Sequence, residues 1–169
     1  LDVEVAKTKA DLAAVASAMS QATASPQAKV DRRIREAEID FLLNDYLRAA
    51  VLLMDVVDVD QNRSHPRYDD ATYYLAESLR NLQNYSESRK YFERLLPAAS
   101  GERLKAVVLG LIEIANATKH FEAVESYVAR LRQAGNLSAP EVEYIHGKTQ
   151  FLASQGDRSQ LEQAYRTFK

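Results

Sequence analysis

The chain contains no cysteine, which excludes disulfides and thiolate metal sites and leaves its redox compartment open. Only five glycines and four prolines occur in 169 residues, too few for the turn-rich sequences of all-β folds. The longest apolar runs, such as Ala49 to Met54 and Ala106 to Ile112, fall far short of the ~20 residues that span a bilayer, so no membrane insertion of this segment is expected. A basic excess is also missing: the net charge is −2, without the surplus of Lys and Arg that neutralises many phosphates, which argues against nucleic acid as a partner. No Gly-rich phosphate loop, nucleophile elbow or HExxH spacing is present. The chain is therefore read as non-enzymatic, with no cofactor and no metal.

What remains is a composition rich in helix formers, 46% apolar and 27% charged, able to bury a core without staples. The expected fold class is all-α. A pattern recurs along it: an inner helix, a short polar turn, then a second helix opened by an aromatic residue. Leu75 to Leu96, LAESLRNLQNYSESRKYFERLL, is its best copy. Aligned on Tyr46, Tyr85, Phe121 and Arg158, the copies are spaced by 39, 36 and 37 residues, a period typical of stacked helical hairpins.

Residues 1–25 form a separate N-terminal element. Val5, Leu12, Val15, Met19 and Ala22 give a thin apolar stripe, read either as a helix capping the array or as the tail of a longer coiled segment. Ser25-Pro26 ends it, because the residue before proline is steered from the α region and proline suits a first helical turn. The repeat domain then runs over 26–169 as about four hairpins. The first pairs Gln27 to Leu43 with Tyr46 to Val57 across Asn44-Asp45. The second extends from Pro66 through Leu96, its turn marked by a capping box of Asn84 with Glu87. The third runs from Ser100 to Gly135 with a turn near Lys119-His120. The fourth opens on the capping box of Ser138 with Glu141 and turns at Gly156-Asp157, where Asp157 and Gln160 repeat the arrangement.

Helical spacing names the inward stripes. The second repeat offers Ala71, Tyr74, Leu75, Ser78, Leu79 and Leu82, answered by Tyr85, Ser88, Phe92 and Leu95; the third offers Leu104, Val107, Val108, Leu111 and Ala115, answered by Phe121, Val124, Val128 and Leu131. A small residue three positions after the turn aromatic, Ala49 or Ser88, lets the paired helices approach closely. Three histidines lack ligand spacing: His65 before Pro66 and His120 at a turn read as solvated, and His146 as a surface residue. Asp69 and Asp70 sit in a first helical turn, where carboxylates offset the helix dipole.

Leu75-Ala76, Tyr85, Ser88, Phe92 and Leu95 resemble the tetratricopeptide repeat pattern, and the resemblance extends over roughly Val30 to Phe168. The spacings exceed that family's 34 residues, Glu36 stands where Leu is expected, and Arg158 replaces the aromatic. The segments AEIDFLLNDYLRAA, HPRYDDATYYLAESL and NYSESRKYFERLL are also similar to large envelope-associated tetratricopeptide proteins of gliding and predatory proteobacteria. The resemblance implies a helix-turn-helix solenoid with a concave groove that binds a protein segment, and the second similarity implies a periplasmic or envelope-associated location, with a cytoplasmic one as the alternative. In such a family the position eight residues before each turn aromatic faces the groove. Here that position holds Glu38, Glu77 and Glu113, followed by Gln150. With Asp70, Tyr73, Arg80, Asn81 and Asn116 they would form a partner-binding groove with an acidic centre that prefers a basic or neutral segment. The Lys and Asn set with which chaperone-binding members clamp a terminal carboxylate is absent. Protein partners are expected, with stacking of terminal hairpins as a route to oligomers. The alternative is an accessory domain that positions part of a larger enzyme or secretion machine. Because the sequence begins at Leu1, it is read as a processed product or as part of a longer protein.

Overall fold

The structure, a computed structural model, describes residues 25–155 together with 157, 162, 165 and 166. The expected N-terminal helix, and the second helix of the fourth hairpin with Arg158, lie outside the described residues. Among those described there are seven α-helices, one 3₁₀ turn and no strand. The chain divides into two compact units, Leu1–Ala71 and Thr72–Lys169.

In the first unit, α1 (Pro26–Leu42) starts where the Ser25-Pro26 pair predicts: the Ser25 hydroxyl accepts from the Ala28 amide at 3.1 Å, and Pro26 occupies the first turn. After the Asn44-Asp45 turn, α2 (Tyr46–Val57) is capped by Asp45, whose carboxylate accepts from the Arg48 amide at 3.2 Å. The two helices pack together and bury Ile34 and Ala37 against Ala49, Ala50, Leu53 and Val56. The alanines keep the backbones close. Arg48 then bridges back to Glu36 and Asp40 on α1 at 3.0 and 3.1 Å. A 3₁₀ turn, Asp60–Ser64, closes the end of α2: Asn62 Nδ2 donates to the Val56 carbonyl and the Tyr68 hydroxyl to that of Val57, at 2.9 and 3.0 Å. Carbonyls that a helix end orphans are thus satisfied. His65 is buried here, contrary to its reading as a solvated loop residue. Its Nδ1 accepts from the Arg67 amide at 3.2 Å and its Nε2 lies 3.5 Å from Asp31.

The division between units falls within α3 (Tyr68–Asn81), whose first turn carries Asp69 and Asp70 as expected. In the second unit α4 (Tyr85–Leu95), α5 (Gly101–Ala117), α6 (Glu122–Gln133) and α7 (Ala139–Ala153) follow, and helices adjacent in sequence pack on one another. Ser88 is fully buried and its hydroxyl donates to the Ala76 carbonyl at 2.7 Å, the close approach its small size predicts. Phe92 is fully buried, edge-on to Tyr73 at 6.1 Å. The ring also packs on Gly110 of α5, where a Cβ would lie 2.6 Å from it. Leu104, Val108, Ile112 and Ala115 of α5 then form a core with Val124, Val128 and Leu131 of α6 and Ile145 of α7.

Two expected details differ. Leu82 is 40% exposed, because α3 ends at Asn81 and the stripe ends with it. The Asn84 capping box does not form: the Asn84 amide already donates to the Leu79 carbonyl at 2.9 Å, and Glu87 pairs with Lys90 at 2.6 Å. The box at Ser138 does have its return arm, with Glu141 Oε2 accepting from the Ser138 amide at 2.9 Å and its hydroxyl at 2.7 Å.

Each inner helix ends the same way. Asn44, Gln83, Lys119 and Gln155 have φ of 63°, 59°, 61° and 48°, two residues beyond the ends of α1, α3, α5 and α7. At the first three ends the left-handed residue and its successor donate back to the last turn, as in Asn44 to Phe41 and Asp45 to Asp40, a Schellman closure. None of the four is glycine. Their spacings, 39, 36 and 36 residues, are a structural period that parallels the spacing of the turn aromatics.

Candidate functional site

The predicted site residues fall in both units. In the first, Glu38 is half-buried on α1 and its carboxylate accepts from the Arg67 guanidinium. Asp70, half-buried in the first turn of α3, adds its field to the same Arg67. These carboxylates are engaged within the unit.

In the second unit the structure brings together Tyr73, Glu77, Arg80, Asn81, Glu113 and Asn116. Glu77, one helical turn before Arg80, is only 8% exposed. The Arg80 guanidinium donates to Glu77 Oε2 at 2.5 Å and, with its other nitrogen, to Glu113 on α5. Asn81 Nδ2 donates to the Glu77 carbonyl at 2.8 Å. Tyr73 is half-buried with the Arg103 guanidinium 4.6 Å over its ring, and burial, aided by the Glu77 charge, pushes its phenol up against the opposing pull of Arg103 and Arg80. Arg80 thus engages both glutamates of the expected acidic centre and offsets one of their two charges. Glu77 in particular is a wall of the unit rather than a free contact.

Sequence reasoning missed the open part of this face. Between α5 and α7 lies a cleft of about 380 Å³ whose apolar walls include Leu109, Ile112, Leu137, Tyr144 and Ile145. Tyr144 is 60% exposed at its edge. Asn116 is 6% exposed, lines the cleft, and its Oδ1 is buried with no hydrogen-bond partner. A second hollow of about 380 Å³ shares Glu113, Asn116 and Lys148 with the first and adds Lys119, Phe121 and Leu152. The two therefore lie side by side along α5 and α7. The available signal was the i, i+4 pair Tyr144 and Lys148, which flanks His146 on α7. His146 itself is half-buried, with Nε2 3.0 Å from a Glu125 carboxylate oxygen.

The charges on this cleft divide cleanly. Glu113 is held by Arg80, and Glu141 by Lys105 at 2.6 Å. The Lys105 ammonium and the two Ser138 donors hold the Glu141 carboxyl down to about 2. Lys119 and Lys148 meet no carboxylate among the described residues. No group of three or more His, Asp or Glu side chains suited to a metal occurs among the described residues, and none of their helices is long and apolar enough to cross a membrane. The chain matches no protein-family model, no curated protein and no solved structure.

Proposed function

We propose that this chain is a non-enzymatic interaction scaffold of tetratricopeptide type, which holds a segment of a partner protein against its inner helices within a bacterial envelope or motility assembly. The observation that carries the reading is the repeated closure of the inner helices, a left-handed residue at 44, 83, 119 and 155. Hairpins that recur at this interval stack into extended surfaces, and such surfaces serve binding. The open cleft of the second unit supplies a concave, mostly apolar wall with few polar groups, the form binding sites take. Its carboxylates are paired with Arg80 and Lys105, which supports a binding rather than a catalytic reading of the cleft.

Photo-crosslinking in the source cells tests this. A photoreactive residue at Tyr144, on the cleft, should yield one discrete protein adduct in the envelope fraction. The same residue at Lys90, exposed on α4, should yield none. Equal labelling from both positions, or none from Tyr144, refutes the groove; an adduct found only in the cytosolic fraction refutes the location.

A further inference from the structure

The cleft between α5 and α7 has an apolar half and a cationic half, joined at a buried acceptor. Leu109, Ile112, Tyr144 and Ile145 line the first half. A volume of about 380 Å³ admits one or two large side chains. Lys119 and Lys148 line the second half, beside Phe121 and Leu152. The only carboxylate shared by both halves, Glu113, is already bound to Arg80. At the junction, Asn116 Oδ1 is buried without a donor, a state that costs free energy until a donor arrives.

Resting on the groove reading above, we infer that this cleft recognises an internal apolar-acidic peptide segment: a bulky apolar side chain seated against Ile112 and Tyr144, a backbone N–H donated to Asn116 Oδ1, and an Asp or Glu side chain next in sequence facing Lys119 and Lys148. Each part answers one unmet demand of the site. The apolar wall needs cover, the amide oxygen needs a donor, and the two ammonium groups need counter-charge. A basic segment, one of the two kinds that the glutamate row predicts, instead meets two lysines without a carboxylate partner among the described residues. The two hollows share Glu113, Asn116 and Lys148, so a chain that continues from the first along α5 and α7 passes beside the lysines. That placement favours an internal acidic side chain over a terminal carboxylate.

The test is selection from a degenerate library of 12-residue peptides, C-terminally amidated, on the full chain, followed by fluorescence anisotropy of the selected peptides. Wild type should enrich Leu or Phe adjacent to Asp or Glu. Replacing those acids by Gln should weaken binding about tenfold, as should the double substitution Lys119→Glu with Lys148→Glu, which exposed-pair energies at two sites support. Affinity should fall with added salt. Tyr144→Ser, at an exposed position that should leave folding intact, should abolish the apolar preference while retaining the acidic one. Enrichment of basic peptides, or an unchanged profile in the double lysine variant with unaltered circular dichroism, overturns the inference while the groove reading stands. Binding that requires a free terminal carboxylate also overturns it. If wild type retains no peptide, both readings fail.

Discussion

Gly110→Ala tests the close packing of Phe92 on α5. A Cβ at Gly110 would lie 2.6, 2.8 and 3.1 Å from Cζ, Cε2 and Cε1 of Phe92, whereas carbon atoms prefer about 3.5–4.0 Å. The ring must retreat by roughly 1 Å to restore that spacing. It has little room to do so, because it is fully buried and Tyr73 stands edge-on to it at 6.1 Å. Overpacking of this kind costs about 1–3 kcal/mol. The same substitution improves helix propensity by about 0.8–1 kcal/mol, so the two effects oppose each other and the net loss should be about 1 kcal/mol. Urea denaturation followed at 222 nm measures it. The mechanism is isolated by repeating the change in the Phe92→Leu background, where a shorter side chain removes the clash and only the propensity gain remains. There Gly110→Ala should be neutral or stabilising, giving a coupling of roughly 1–3 kcal/mol in the double-mutant cycle. Stabilisation of about 1 kcal/mol in both backgrounds would refute the clash and with it the close approach of α4 and α5.

The left-handed residues give a prediction of opposite sign. A non-glycine residue there costs about 1–2 kcal/mol, and glycine returns about 0.5–1 kcal/mol of that as lost chain freedom, so Gln83→Gly and Lys119→Gly should each raise stability by up to about 1 kcal/mol in thermal melts; a fall at both would contradict the observed φ. Arg80→Ala strips Glu77 of its ion partner and should cost about 1–3 kcal/mol, discounted for the partial exposure of the pair, and Glu77→Gln in the same chain should recover part of it. If Arg80→Ala is neutral by urea denaturation, the Glu77 carboxylate is not held as described. Glu141 sets an acid dependence: its folded carboxyl titrates at about 2, below the usual value near ~4.3, so its contribution is complete above ~4.3 and vanishes as pH falls through about 2. The stability difference between wild type and Glu141→Gln should therefore shrink steadily over that window; a difference independent of pH would remove Glu141 from the acid response.

Much of the fold was legible because punctuation and periodicity agree. Tyr46–Val57 has the bounds its pattern predicts, and Ser25-Pro26 and Ser138 through Glu141 open helices where expected. The failures have identifiable causes. Asn84 with Glu87 has the spacing of a capping box, yet the closure of α3 takes the Asn84 amide first. One tight turn serves two helices, and spacing alone does not say which end claims the donor. His65 precedes a proline and so resembles a loop residue, but Asp31, 34 positions earlier, comes within 3.5 Å of it. Only the packed hairpin reveals that. Gly110 carried a readable signal, an isolated glycine within a helical pattern, which commonly marks a close packing contact.

The proximity of some predicted residues was legible, but their pairing was not. Counting back from the turn aromatics finds Glu77 and Glu113, and both do lie beside Arg80. Counting assigns each a free negative charge, while the structure shows one guanidinium engaging both. A sequence gives the sign of every ionisable side chain and nothing about which are already paired, although pairing decides what a surface offers to a partner. Glu77, Glu113 and Glu141 are engaged inside the second unit; Lys119 and Lys148, in the sequence merely two of many dispersed cations, have no such partner among the described residues. The glutamate row indicates free carboxylates on this face, whereas the groups on the cleft without an opposite-charge partner among the described residues are lysines. What a fold can offer a partner is the charge and the unsatisfied acceptor left after it has met its own demands, and on the proposed binding face these are Lys119, Lys148 and the Asn116 carbonyl.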